Sequence, residues 1–244
     1  MTKAARHAGA LVALDAAPGV GSVALVLGGV VVDARVVAMR TAPSGHSAGS
    51  SDDDRLMPAV ADLLSAHDLA PRDLAGVACG AGPGGFTSLR ISAAIAKGLA
   101  HAAWCPLLAA PSLAWAAAVR APGPGAWLVT LDALRGERYV ARVELLPEPG
   151  VVNDGAPHGG WPVARYDYLG TRASEGVGAL VALQRARGLL EIDADPTATP
   201  IATGVAALPP APVDLASWEP AYGRLAEAQV RWEAEHGALV DATR

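Results

Sequence analysis

The stretch of this chain that most strongly suggests chemistry is a glycine-rich segment between a predicted strand and a predicted helix. It reads G-A-G-P-G-G over Gly80–Gly85, after an apolar run at Leu74–Cys79 and before a helical run at Phe86–Ala102. Glycine loses more backbone entropy on folding than any other residue, so this cluster indicates that the backbone passes close to another group. We expect that group to be a phosphate, a second polypeptide or a neighbouring element of the same chain.

The same segment matches the dinucleotide-binding pattern G-x-G-x-x-G through Gly80, Gly82 and Gly85. That mechanism needs an acidic residue about 20 positions further on to hold the ribose. No Asp or Glu occurs between Leu74 and Leu131. The sequence therefore disfavours a nicotinamide cofactor.

A second pattern, G-H-S-A-G at Gly45–Gly49, matches the nucleophile elbow of serine hydrolases and would make Ser47 the nucleophile. The elbow requires a strand that runs directly into the serine and a helix that leaves directly after it. Here Pro43 precedes the pattern and the hydrophilic residues 49–54 follow it. A surface loop is the favoured interpretation, and a hydrolase or protease using Ser47 is an alternative.

Two aspartates that end apolar runs are candidate nucleotide-binding residues. The run L-V-A-L-D-A at Leu11–Ala16 is echoed by L-V-T-L-D-A at Leu128–Ala133. Asp15 and Asp132 could hold a metal through water while turn amides bind phosphate, as in an ATP-binding kinase or ATPase. Aspartate also commonly closes turns by accepting hydrogen bonds from its own backbone, which is the interpretation we favour. The six histidines and two cysteines show no spacing typical of a metal site.

Composition limits the possible partners of the chain. Its 244 residues are 52% hydrophobic and carry a formal net charge of −5, which is typical of a globular protein without a strong independent grip on nucleic acid. The uncharged run Gly98–Val119 is interrupted by Pro106 and Pro111, so we expect no membrane span. We also expect no export signal and therefore a cytoplasmic protein.

The order of predicted elements in the first half is β-β-β-α-β-α-β-α, with a Gly28-Gly29 hairpin turn between the second and third strands. The echo of the opening motif predicts that a second lobe begins after a Pro/Gly linker. We expect an N-terminal tail at 1–10, a lobe at 11–121 that carries partner-binding helices, and a smaller, irregular lobe at 126–244. The predicted fold class is α/β, with the two-lobed actin/hexokinase/Hsp70-like (ASKHA) architecture of duplicated ribonuclease-H-like lobes.

Five collinear motifs resemble those of the TsaB (YeaZ-like) family, the dimerisation subunit of the bacterial machinery that makes threonylcarbamoyladenosine in tRNA. The most specific is G-P-G-G-F-T-S-L-R-I followed by A-K-G-L-A, which is similar to the family's G-P-G-S-F-T-G-L-R-I…A-K-G-L-A. The motifs lie at Leu14–Ala16, His46–Ser47, Gly82–Ala100, Leu131–Tyr139 and Glu219–Arg224.

The resemblance implies a non-catalytic assembly subunit that dimerises with a TsaD-like transferase and is joined by a TsaE-like ATPase. It implies that tRNA is bound through the complex, that ATP and metal belong to the partner subunits, and that the isolated chain forms a homodimer through the same helices. The resemblance thus implies that the chain has no cofactor of its own and is not an enzyme by itself.

The resemblance also implies which residues meet the partner, because in the family the helices after the H-S loop and after the glycine motif form half of a four-helix bundle. The glycine motif then sets the angle of the second helix. The implied interface is Leu56, Val60, Leu63, Leu64, Leu89, Arg90, Ala93, Ala96 and Lys97, and the motif loop is Gly82, Pro83, Gly84, Gly85, Phe86 and Thr87. The alternative is that the apolar faces of both helices pack on this chain's own sheet.

The chain departs from the family pattern at a few positions. Gly85, Ser88 and Ser92 stand where the family usually has Ser, Gly and Gly. Residues 48–54 have the character of a short insertion, and Gly223 replaces a usual leucine. These departures concern the loop and the partner surface.

Overall fold

A computed structural model describes residues 9–18, 20–38, 55–133, 136–147, 161–171, 176–194 and 200–223. Within these ranges no helix is both long enough and apolar enough to cross a membrane. The H-S loop with Ser47, the residues 48–54 and the residues 225–239, whose composition predicts a helix, lie outside the described residues.

The first sheet has six strands. They are β1 Ala10–Asp15, β2 Val20–Leu27, β3 Val30–Ala38, β4 Leu74–Gly80, β5 Leu107–Ala110 and β10 Ala211–Pro212. Their order in the sheet is β10-β5-β4-β1-β2-β3. Strands β1, β2 and β3 are antiparallel neighbours, and β4 and β5 run parallel to β1. Gly28 and Gly29 both have positive φ, as the predicted hairpin turn requires.

Two helices cover one face of this sheet. Helix α1 spans Leu56–Ala66 and α2 spans Phe86–Ala103. Their apolar stripes pack with side chains of β1, β2 and β4 in one buried cluster. This is the arrangement expected when each helix buries a single apolar stripe and exposes the opposite face.

The second sheet repeats the topology of the first. Its elements are β6 Gly125–Asp132, β7 Arg138–Leu145, β8 Val163–Thr171, α4 Val177–Ala186 and β9 Leu190–Asp193. Its strand order β8-β7-β6-β9 matches β3-β2-β1-β4, with two antiparallel pairings followed by one parallel pairing. The element order β-β-β-α-β is therefore used twice, which is the predicted duplication.

Helix α3, Ser112–Arg120, lies between the two sheets and is apolar all round. Its residues 112–118 are buried, and Trp115 joins a core cluster that contains side chains of both sheets. A 3-10 helix at Ile201–Ala206 packs directly on α3, because a Cβ atom at Gly204 would lie 2.6 Å from the Trp115 Cα atom. A helix without a polar face is stable only when it is covered on every side, as here.

The α/β fold class predicted from the sequence is confirmed, and the first eight elements occur in the predicted order. Four elements of the second half, β8, α4, β9 and the two-residue β10, have no counterpart in the sequence prediction. Strand β8 reads V-A-R-Y-D-Y-L-G-T, so Arg165, Asp167 and Gly170 interrupt its apolar pattern. The Gly/Pro-rich composition of residues 193–212 predicts a loop, and the 3-10 helix lies within this stretch.

We predict opposite effects for two glycine substitutions. Gly204→Ala places a methyl group against the α3 backbone, which cannot move aside, and should lower the free energy of unfolding by about 2–4 kcal/mol. Gly98→Ala lies on the exposed side of α2 with open space around it and should raise that energy by about 0.5–1 kcal/mol. Urea unfolding monitored by circular dichroism measures both, and equal effects would contradict the packing described here.

Candidate functional site

The candidate site lies where the parallel strands of the first sheet end. Strand β1 ends at Asp15, β4 at Gly80 and β5 at Ala110, and the glycine motif leaves from this edge. In open α/β sheets ligands bind at the carboxyl ends of the strands, so this edge is the place to test the nucleotide hypotheses.

The glycine motif is closed by a second part of its own chain, the turn after β1. The Gly85 amide donates a hydrogen bond of 3.0 Å to the Ala17 carbonyl oxygen. A Cβ atom at Gly84 would lie 2.4 Å from that same oxygen. Of the three groups that the glycine cluster could approach, the neighbouring element of the same chain is therefore the one observed.

The terminal E-P-A-Y-G motif closes the loop from the other side. The Ala221 amide donates a hydrogen bond of 2.8 Å to the Ala81 carbonyl oxygen. Gly82 has a φ of +84°, and a Cβ atom there would lie 2.4 Å from the Ala221 carbonyl oxygen. Glycine is thus required at position 82 by both its conformation and its surroundings.

Tyr139, from the motif that opens the second lobe, joins these segments. Its hydroxyl lies 3.0 Å from the Tyr222 carbonyl oxygen and 3.4 Å from the Gly84 carbonyl oxygen. The ring of Tyr222 in turn packs on Phe86 with 4.6 Å between ring centroids. Four motifs that are far apart in sequence therefore meet in one contact cluster, which we call the motif junction: Asp15–Ala17, Ala81–Phe86, Tyr139 and Ala221–Tyr222.

Asp15 is completely buried at the junction. Its Oδ1 atom accepts a hydrogen bond of 3.0 Å from the Ala17 amide, the turn-closing contact favoured from the sequence. Burial raises the pKa of Asp15 to about 6, against the opposing effects of the Ser112 hydroxyl, the Ala17 amide and the positive charge of Arg120. A Cβ atom at Gly80 would lie 1.8 Å from Asp15 Oδ2, so the carboxyl group is packed tightly against the β4 backbone.

Asp132, the other candidate, ends β6 and is exposed. The two aspartates thus occupy equivalent places in the repeated topology but different environments. Among the residues the structure describes, no three His, Cys, Asp or Glu side chains are grouped so that they could hold a metal ion.

The structure places most of the implied partner residues inside this chain. Five of them, on α1 and in the middle of α2, pack in the cluster with the first sheet, and Leu89 packs in the cluster that contains side chains of both sheets. Packing within the chain itself is therefore observed at these positions, and their contact with a partner stays a prediction. The buried positions are Leu56, Val60, Leu63, Leu64, Leu89, Ala93 and Ala96.

The exposed face of the same two helices is what a partner could contact. Arg90 is exposed on this face and Lys97 is half-buried. The helical spacing of the apolar residues predicted the stripe that is buried. The exposed face consists of the positions between those apolar residues, which is the pattern that could have predicted it from the sequence. The outer positions of both helices include Met57, Pro58, Ala61, Asp62, Ser65, Phe86, Arg90, Ala94 and Gly98.

A groove of about 310 Å³ lies between α1, the loop that follows it and α2. Five α1 residues line it, two of them implied interface positions, together with the loop and one residue of α2: Met57, Val60, Ala61, Leu64, Ser65, Asp68, Leu69, Pro71 and Leu99. At the start of α2 the Arg90 guanidinium lies 4.9 Å from the centroid of the Phe86 ring, which itself packs on the motif junction. The junction therefore supports one end of the exposed helical face.

Partial sequence matches connect the chain to known proteins. A family model described as TsaD: tRNA N6-adenosine threonylcarbamoyltransferase matches residues 47–153. The tRNA threonylcarbamoyladenosine biosynthesis protein TsaB of Bacillus subtilis (strain 168) is 40% identical over 85 residues, which are 35% of this chain and 37% of that protein. The TsaB of Escherichia coli (strain K12) is 37% identical over 92 residues, which are 37% of this chain and 40% of that protein. The matches thus span about two fifths of these relatives.

A solved structure matches nearly the whole chain. It is described as a crystal structure of an uncharacterized protein with similarity to peptidase YEAZ from Pseudomonas aeruginosa, and it aligns with a TM-score of 0.59 and 22% identity. The alignment covers 88% of this chain and 100% of that chain. It shows a shared fold. The two sequence matches confirm the resemblance predicted from the motifs.

We predict a pH-dependent effect of Asp15→Asn. The raised pKa means that the folded state binds more protons than the unfolded state between about pH 4 and pH 6, so Asp15 lowers stability as the pH rises through that window. Asparagine cannot ionise, so the stability of the variant relative to the parent should rise by about 2–3 kcal/mol from pH 4 to pH 7.5, given a pKa shift from 3.8 to about 6. Urea unfolding at both pH values measures this, and a difference independent of pH would contradict it.

We predict that substitution by alanine lowers the folding stability by different amounts at two neighbouring glycines of the motif. Gly84→Ala places its methyl group against the Ala17 backbone and should cost about 2–4 kcal/mol of folding stability. At Gly85 the atom in the way is the Ser88 hydroxyl, which can rotate, so Gly85→Ala should cost only about 1 kcal/mol as a helix N-cap change. Thermal and urea unfolding of the two variants provide the comparison, and a larger loss for Gly85→Ala would refute it.

Proposed function

We propose, on the premise that this chain is related to the TsaB family, that it is an assembly subunit of the complex that makes N6-threonylcarbamoyladenosine in tRNA. The names of the two curated relatives support this assignment. The matched fold supports the same overall architecture along the chain.

The observation that carries the proposal is that the chain itself closes the motif junction, whereas helices α1 and α2 each leave one face exposed. The Gly82, Gly85 and Ala221 amides of the junction donate hydrogen bonds to other parts of the same chain. The outer faces of α1 and α2 carry exposed apolar and small side chains, including Met57 with 41% of its surface exposed. Such a face allows close approach of helices from another protein.

We propose that a TsaD-like transferase packs against this helical face. That partner supplies the catalytic groups and the metal, a TsaE-like ATPase binds the resulting pair, and tRNA binds through the complex in the cytoplasm. The chain itself is then not an enzyme and holds no nucleotide or metal. In the absence of the partner, the same helical face forms a homodimer.

We predict that Met57→Asp breaks the heterodimer. A carboxylate at this exposed apolar position would have to lose its water on docking, so the dissociation constant should rise by at least about tenfold. Leu183→Asp is the matched control, since Leu183 is 47% exposed on α4 beside the other sheet. Calorimetry of each variant with a purified TsaD-like partner measures both affinities.

The proposal fails if the unsubstituted chain does not bind the TsaD-like protein. The assignment of the surface fails if binding survives Met57→Asp but is lost with Leu183→Asp. Circular dichroism of both variants establishes that they are folded, because both substituted positions are exposed.

A further inference from the structure

Strand β3 is an edge of the first sheet among the described residues, because its only pairing there is with β2. Edge strands expose backbone donors and acceptors that can pair with another strand. Three valines along this strand are unusually exposed, with 62% of Val30, 40% of Val32 and 46% of Val36 accessible. The strand thus offers both an open ladder and apolar side chains beside it.

The charges on β3 are arranged symmetrically about Ala34. Asp33 precedes it and Arg35 follows it, and their side chains form an ion pair of 3.1 Å within the strand. His67 Nε2 also lies 3.2 Å from Asp33 Oδ2. Both contacts use Oδ2, and the segment Val32–Val36 carries no net side-chain charge, so two copies of it do not repel each other.

We propose that β3 pairs with β3 of a second copy of this chain, antiparallel and centred on Ala34. In that register Asp33 of each copy faces Arg35 of the other, and Ala34 faces Ala34. Val32 is the extra residue of a β-bulge, because Val31 pairs with Val26 and Asp33 pairs with Leu25 of β2, so the regular part of the ladder begins at Asp33. One side of the new ladder then carries four charges in two opposite pairs, and the other side carries Ala34 and Val36 of each copy. The arrangement is self-complementary, as a two-fold interface requires, and joins two six-stranded sheets into one.

The exposure of its apolar side chains distinguishes β3 from β8, the other long edge strand in the described part of the chain. Strand β8 carries a similar ion pair between Arg165 and Asp167, 2.8 Å apart. Its flanking tyrosines, however, turn toward the chain's own core: Tyr166 packs against the main cluster, and the Tyr168 hydroxyl lies close to Gly223. The three exposed valines of β3 instead leave much of their surface accessible in the described part of the chain, so β8 serves as a matched control.

Edge pairing extends the sheet in its own plane and does not use the outer faces of α1 and α2. The β3 dimer therefore differs from the homodimer through the helices and is independent of the proposed function. It is compatible with simultaneous binding of a protein at the helical face.

Charge-reversal variants test the register. Asp33→Arg and Arg35→Asp each place like charges opposite one another. In a chain that also carries Met57→Asp, which removes the homodimer through the helical face, each should therefore raise the dissociation constant of the β3 dimer by at least about tenfold in sedimentation velocity. An equimolar mixture of the two variants restores opposite charges at every position and should form a heterodimer. Asp167→Arg in β8 should leave dimerisation unchanged. Val36→Lys, at an exposed position, should also weaken the dimer without unfolding the chain.

Three results would overturn the proposal. The first is a monomeric unsubstituted chain at high micromolar concentration. The second is a mixture of the two charge variants that does not associate although circular dichroism shows both variants to be folded. The third is a Met57→Asp chain that is monomeric, or whose dimer persists unchanged in both β3 variants.

Discussion

The contact on which the rest of this structure depends is the close approach of the glycine motif to the turn after β1. The Gly84 backbone leaves no room for a side chain beside Ala17, and the Gly85 amide donates to the carbonyl oxygen of Ala17. This contact fixes where α2 begins and in which direction it leaves the sheet. Tyr139 and the Ala221–Tyr222 segment then close around the same point from the second lobe and from near the C-terminus.

Duplication of a single topology has produced two strand ends with different properties. Asp15 ends the first strand of one sheet in complete burial, and its ionised form is disfavoured there. Asp132 ends the equivalent strand of the other sheet and is exposed. In the first lobe the carboxyl group of Asp15 thus closes a turn. Helices α1 and α2 of the same lobe present the surface that we assign to a partner.

The sequence predicted elements best where the signal was local. The bounds of β2 and β3 follow from two valine-rich runs around Gly28-Gly29, and α2 was predicted to within one residue. The spacing of apolar residues predicted the stripe on α1. Spacing does not reveal which surface covers that stripe, and in the structure the chain's own first sheet covers it. The contacts of Gly84 with Ala17 and Tyr139 join residues far apart in sequence, so no local pattern could show them.

Titration of the isolated chain with Mg-ATP in a calorimeter tests the central claim most directly, namely that the motif junction is closed by the chain itself. We expect only heats of dilution up to millimolar nucleotide, because the Gly85 and Ala221 amides already donate to carbonyl oxygens of the same chain and the Gly82 amide donates to the Ser112 hydroxyl. A saturable binding heat that is lost in Asp15→Asn would contradict this claim and would favour an ATP-binding kinase or ATPase.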